Sequence, residues 1–450
     1  MSFRQGLVAA RGHIVFIAAL LTAFALIVGL DRAATRSAGT PADAAAPVAG
    51  LAVPAAVTPL AAPSPLSDAD NALGRVAWRY FVNNTDPDTG LAHSVDGFPS
   101  TTMWDTGSFL IAMISAHRLG YIDTAEFDRR LTLALASLAR IPLFDGTLPN
   151  KVYDTHTLGM VDYVNTPTAR GLGWSAIDMA RLLVPLLHVE RTFPAHAAEV
   201  RAVLARLDLP ALVRNGALNG AAVKDGKTVT YQEGRVGYEQ YAARIAIMAG
   251  LDAFTAWDVS STLRLVDVEG LAVPVDARSD ASFAISEPYT LAGLDLGLDD
   301  RTARLADAVY RAQEARFART GILTAVSEGH VDQAPYFVYS TVVAGGVPFA
   351  VVNLHDEQFS GLRTLSTKTA FAWDALYRTP YTAKLVAAVR DLQAADGGFM
   401  EGIYEESGKP NTAQTANTNA IILASLAYRA FGPLLVPSPT APGAAIATTD

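Results

Sequence analysis

The densest run of ionisable and aromatic side chains is TYQEGRVGYEQYAAR, in which Glu233, Arg235, Tyr238, Glu239 and Tyr241 fall within nine positions around a predicted helix start. Two carboxyls crowded into an enclosed site oppose each other's ionisation. One of them then keeps its proton near neutral pH, as a general acid must. Glu233 precedes the helix, in a loop, where no capping duty accounts for it. Glu239 falls in the first turn, where a negative charge also complements the helix dipole. Arg235 works against the raised carboxyl if it pairs with Glu233. Glu233 or Glu239 is the expected acid.

Other segments carry the same residue types to further predicted helix starts. Trp104 and Asp105 open one of them: an aromatic face stacks on a sugar ring and a carboxylate accepts from its hydroxyls, although Asp105 also serves as an N-cap. LPNKVYDTHTLGMVDYVN leads into GLGWSAIDMARLL and contributes Lys151, Tyr153, Trp174 and Asp178, with Ser175 and Asp178 spaced as in a capping box. Glu287 (in SEPY), Glu328 (in SEGHVDQAPYFVY) and Glu401 (in FMEGIYEESG) add acids, and TANTNAIILASLAY adds Asn417 and Asn419. Asp105 or Glu401 is the expected base, and the remaining residues are expected to bind substrate. Tyr238 or Tyr336 is the base if the chemistry is instead β-elimination on a uronate.

Several other chemistries lack their residues. The chain has no cysteine, which removes disulfides, thiolate metal sites and Cys nucleophiles. Its eight histidines are scattered, without HExxH spacing, and the acids Asp86 and Asp88 do not complete a calcium loop. No GxSxG or phosphate-cradling glycine loop is found. No metal or cofactor is therefore expected. The net charge of −9, with no basic run beyond the N-terminus, argues against nucleic acid as a partner.

The elements that must position these residues read as helices. Apolar periodicity predicts helices over 68–82, 104–119, 123–140, 174–191, 195–207, 237–250, 287–297, 300–319, 366–378, 381–394 and 416–431. Connections near Gly120, Phe193, Leu298 and Thr379 are short, whereas 141–173, 208–236, 251–286, 320–365 and 395–415 are long. Short connections make antiparallel hairpins. Hairpins stacked in a ring put all the long connections at one end, over the N-termini of the helices starting near Trp104, Trp174, Gly237, Glu287, Thr367 and Asn417. This predicts an all-α, (α/α)6-type toroid spanning 67–433. Its third hairpin lacks a second helix, and residues 262–276 alternate as a β-hairpin in its place.

Before the toroid, Ile14 to Leu30 form an uncharged apolar run between Arg11 and Asp31. The run is longer than the usual core of a cleaved signal, roughly 7 to 15 residues, and nears the ~17 that span a bilayer. A signal-anchor in residues 1–31 is expected, with a cleaved signal peptide as the alternative. Residues 32–66, rich in Ala and Pro, read as a linker, and 434–450 as a flexible tail. The toroid then faces the periplasm from the inner membrane, or is secreted.

DPDTGL…STTMWDTGSFL, LPNKVY, GWSAIDMARLL, QEGRVGYEQYAAR, SEPY, TLSTKTAFAWDALY and TANTNAIILASL, in this order, resemble the bacterial family called domain of unknown function 3131 over most of residues 70 to 434. The DPDTGL segment followed by an acid-bearing helix start also resembles glucoamylase-like toroids such as the β-1,2-glucanases. These resemblances imply an (α/α)6 fold and glycan chemistry, and transfer no catalytic residue. The expected activity is hydrolysis or transglycosylation of a bacterial exopolysaccharide or glucan by a carboxyl acid/base pair, with inversion by analogy. A polysaccharide lyase and a non-catalytic glycan-binding component of an export machine are the rival expectations.

Overall fold

A computed structural model describes residues 57–353 and 355–435. The expected signal-anchor, most of the linker and the end of the tail lie outside the described residues. Among the described residues, no helix is long and apolar enough to cross a membrane.

The helices in chain order are α1 (Asp68–Asn84), α2 (Met103–Arg118), α3 (Thr124–Leu138), α4 (Ala176–Thr192), α5 (Ala197–Leu204), α6 (Tyr238–Met248), α7 (Phe254–Trp257), α8 (Glu287–Leu291, continued as a π-helix to Leu296), α9 (Asp300–Thr320), α10 (Thr367–Tyr377), α11 (Pro380–Val389) and α12 (Ala416–Phe431). Helices α2, α4, α6, α8, α10 and α12 pack each against the next, and α12 closes on α2. They form the inner ring. The sequence accounts for this, because the inner helices are apolar around most of their circumference: on α2 every residue from Thr106 to Ala116 is buried. The outer α1, α3 and α9 bury one stripe and expose the other. Helices α2 and α4 approach so closely at Gly107 that a Cβ there would lie 2.7 Å from the Arg181 carbonyl oxygen. Only glycine fits.

The gap expected in the third hairpin is present. The four-residue α7 is followed by the antiparallel strands Leu263–Val268 and Leu271–Asp276, the second of which packs on α9. The long connections differ from expectation. Instead of irregular loops they fold into small antiparallel sheets, such as Ala217–Lys224 with Lys227–Gln232, Glu328–His330 with Phe337–Ser340, and Thr364–Ser366 with Met400–Tyr404. The fold is thus a helical toroid whose rim is built of β-hairpins. Pairing satisfies the backbone groups of these segments without a helix, so they can be long and still ordered.

The opposite end of the ring is closed. Ala61 N–H donates to the Leu376 carbonyl and Ser64 N–H to the Arg429 carbonyl, both at 2.7 Å, at the C-termini of α10 and α12. From the other side Leu434 and Leu435 donate to the carbonyls of Leu294 and Asp295.

Candidate active site

The N-termini of the inner helices open at one end, and their first turns bring together Asp105 (α2), Asp178 (α4), Tyr238 (α6), Glu287 (α8), Lys368 (α10) and Asn417 (α12). The rim hairpins add Lys151, Glu233, Arg235, Glu328 and Glu401 from above. Contacts across the ring bind them into one mouth. Trp104 and Tyr238 meet edge to face at 5.5 Å between centroids. Lys368 Nζ lies 2.5 Å from Glu287 Oε2, and Asn417 Nδ2 donates to Glu287 Oε1 at 2.7 Å.

Local sequence explains how Asp178 reaches the mouth. Ser175 caps α4 by accepting from the Asp178 N–H at 3.0 Å. The reciprocal half of the capping box is absent, and the Asp178 carboxyl is half-buried at the opening. Burial pushes its pKa up to about 7, and the negative charge of Glu233 adds to the rise against the pull of Lys151. Glu328 is also pushed up to about 7, first by burial and then by Glu287, while Lys368, the Tyr238 hydroxyl and Arg235 oppose the shift. The Tyr238 hydroxyl donates to Glu328 Oε1 at 2.6 Å. Burial raises Asp105 and Glu401 as well.

Both expected acids have other duties. Glu233, read as free of capping, accepts from the Ala176 N–H at 2.5 Å and so holds the N-terminus of α4. The cap reaches across the fold from a rim hairpin, a contact that local spacing does not reveal. Glu239 is buried and bound to Arg278, with Asp276 on the same guanidinium and Gln232 donating at 2.9 Å. Its role is structural. Glu239→Gln should therefore cost about 1–3 kcal/mol in a thermal melt, the range for spoiling one buried polar partner, while turnover per folded molecule stays within a few-fold.

Three expected binding residues are structural as well. Tyr153 is fully buried, with its hydroxyl shared between the Asn150 N–H and the Pro142 carbonyl. Trp174 is 5 % exposed, packs on Phe144 and donates to the Asn219 carbonyl, so it offers no face to a sugar. Asn419 is fully buried and accepts from the Phe399 N–H. Aromatic and amide residues beside a helix start also suit a core, and their types alone do not separate the two uses. Tyr336 lies at the turn between two rim strands, and the mouth tyrosine of that hairpin is Tyr339, three residues on. Glu401 is buried and accepts from Thr415 and Thr418 hydroxyls at 2.5 and 2.7 Å. Arg235 stacks on Phe283 at 4.1 Å. Lys151 Nζ donates to the Tyr231 hydroxyl at 3.0 Å.

Sequence reasoning passed over Lys368, Tyr163, Tyr231 and Tyr339. Lys368 had a readable signal, since a cation in the first turn of a helix opposes the dipole and calls for a paired anion. The three tyrosines feel the charges of the mouth: Glu233 and Asp178 act on Tyr163 and Tyr231, and Glu328 and Asp178 on Tyr339. With Trp104 and Tyr238 they give an aromatic wall beside the acids. Among the described residues, no group of His, Asp or Glu is arranged to hold a metal ion.

The chain belongs to the family of proteins of unknown function DUF3131, whose family model matches residues 72–432. Solved structures share its fold at low identity. An endo-β-1,2-glucanase from Chitinophaga pinensis, in complex with sophorotriose and glucose, superposes with a TM-score of 0.59 at 13 % identity, over 82 % of this chain and 94 % of its own. An endo-β-1,2-glucanase from Talaromyces funiculosus, in complex with sophorose, gives 0.56 at 11 % identity, over 81 % and 84 %. The chain is thus similar in fold to the glucoamylase-like toroids. No curated protein sequence matches the chain.

Proposed function

We propose that the mouth hydrolyses a glycosidic bond of a bacterial glucan or exopolysaccharide, with Asp178 as general acid and Glu328 as the base that activates water. The observation that carries this reading is the meeting of Asp105, Asp178, Glu233, Glu287, Glu328 and Glu401 with an aromatic wall at the open end of the ring. Carboxyls held between protonated and ionised near neutral pH, beside faces that stack on sugar rings, suit acid/base cleavage of a glycan. The fold shared with two endo-β-1,2-glucanases supports a β-linked glucan as the first substrate to test.

The surroundings separate the two roles. Asp178 sits beside the negative Glu233, which favours its protonated form. Glu328 also has a negative neighbour in Glu287, but it accepts from Tyr238 and lies near both Lys368 and Arg235, and this larger set of donors and cations favours its ionised form. In the reaction Asp178 gives its proton to the glycosidic oxygen as the bond to the anomeric carbon breaks. Water attacks that carbon and passes a proton to Glu328, leaving a new reducing end of inverted configuration. Lys151 and Lys368 are already engaged with Tyr231 and Glu287.

The test is incubation of the full chain with a panel of bacterial glycans and mass spectrometry of the products. Hydrolysis adds one water per cleavage. An unsaturated product marks a lyase, and binding without cleavage marks a glycan-binding component; either result overturns the reading. The same proposal keeps the toroid in the periplasm, tethered by the Ile14–Leu30 run. The full chain should then partition with membranes on fractionation, and wholly soluble, N-terminally processed protein would replace the anchor by a cleaved signal.

A further inference from the structure

Glu287 stands at the floor of the mouth with both oxygens occupied. Asn417 donates to Oε1 at 2.7 Å, and Lys368 Nζ reaches Oε2 at 2.5 Å with the Ser327 hydroxyl at 3.4 Å. Behind Asn417 runs a chain of hydrogen bonds whose direction is forced. Arginine only donates, so Ser108 Oγ accepts from Arg181 Nε at 3.1 Å and keeps its own proton and a second lone pair for other partners. That proton goes to Asn417 Oδ1 at 3.3 Å, where the donor-only indole of Trp104 also arrives at 3.2 Å. The atom facing Ser108 and Trp104 is therefore the amide oxygen, and the amide nitrogen is left to point at Glu287. Arg181 is itself fixed, fully buried, by Asp295 and by the Tyr241 hydroxyl at 3.0 Å.

We propose that Asn417 is a positioning residue whose amide, oriented by the donor-only indole of Trp104 with Ser108 donating to the same oxygen, can only donate to Glu287, so that Glu287 serves as a fixed acceptor and the proton chemistry of this side of the mouth falls to Glu328. The proposal rests on the reading of the mouth as a hydrolase. It explains why adjacent glutamates from α8 and a rim strand are treated so differently: one is saturated with donors, and the other takes one donor from Tyr238. The charged and titratable groups facing Glu328 are Glu287, Lys368, Tyr238, Arg235 and its cross-strand partner Tyr339, so loss of the amide donor disturbs the base through Glu287.

The test is Asn417→Asp, which keeps the shape and the acceptor toward Ser108 and Trp104 but replaces the donor by a second carboxyl. At pH 8 two carboxylates then face each other. At pH 5 the pair holds a proton and the hydrogen bond to Glu287 is restored. Turnover of the glycan cleaved by the wild type should fall at least about 10²-fold at pH 8 and recover most of that loss at pH 5, relative to wild type at each pH. The melting temperature should follow the same course with no glycan present. The new carboxyl binds its proton more tightly folded than unfolded, so its contribution is present at low pH and lost as pH rises. Asn417→Leu, which has no proton to regain, should lose turnover and melting temperature to a similar extent at both pH values. The proposal is overturned if Asn417→Asp melts like wild type at pH 8, or if its deficit equals that of Asn417→Leu at both pH values. If the wild type cleaves no glycan, the hydrolase reading fails, while the melting comparison still decides the orientation of the amide.

Discussion

Asp178→Asn should lower turnover at least about 10²-fold, because removal of a general acid typically forfeits that much or more. Asparagine keeps the shape and the Ser175 cap, which uses the backbone N–H, so helix α4 should form as before. Stability should move the opposite way. The Asp178 carboxyl, pushed up to about 7 by burial and by Glu233, binds its proton more tightly folded than unfolded. Its contribution is fully present below the ordinary aspartate range near 4 and is lost as pH rises through about 7. Above pH 7 the wild type holds a buried charge at position 178 that the variant lacks. Thermal melts should therefore show Asp178→Asn above wild type at pH 8, with the gap narrowing toward pH 5. An active-site acid that costs stability at alkaline pH is an expected trade of stability for function. A variant that loses turnover and also melts lower at pH 8 would mark Asp178 as a structural residue.

Glu328→Gln should be equally damaging, at least about 10²-fold in turnover, since the amide cannot take a proton from water. The two carboxyls should also write the pH profile of the wild type. Activity requires Asp178 protonated and Glu328 ionised, so the rate falls on the alkaline side as Asp178 loses its proton and on the acid side as Glu328 gains one. Both lie near pH 7, which predicts a narrow bell centred there. A flat profile between pH 5 and 9 would remove both residues from the chemistry.

Much of the fold was legible in the sequence, for a physical reason. Short connections force antiparallel neighbours and alternate with long ones, so the starts at Trp104, Trp174, Gly237, Glu287, Thr367 and Asn417 could be placed on one face. The missing helix of the third hairpin was visible because 262–276 changes from a helical period to a period of two. The rim sheets were less legible, since the hairpin strands are short and several alternate poorly. The site was legible by place and not by role. Asp178 and Glu328 were found as mouth residues, but Glu233 and Glu239 were preferred because they crowd together in sequence. Glu233 caps α4 from 57 positions away and Glu239 pairs with Arg278 from 39 away, and no local pattern encodes either contact. Two charges in apolar inner helices, Arg181 in AIDMARLL and Asp295 in LAGLDLGL, did carry a signal. A lone charge in such a helix requires a buried partner, and these two partner each other beneath the mouth.

The central claim is that water, activated in this mouth, breaks a glycosidic bond. Digestion of a linear β-1,2-glucan, or of whichever panel glycan is cleaved, in ¹⁸O-enriched water tests it most directly, with mass spectrometry of the first products. The account predicts one ¹⁸O per cleavage, located at the new reducing end and absent with Asp178→Asn or Glu328→Gln. Products that carry no label, whether unsaturated or extended by transfer to another sugar, would contradict it.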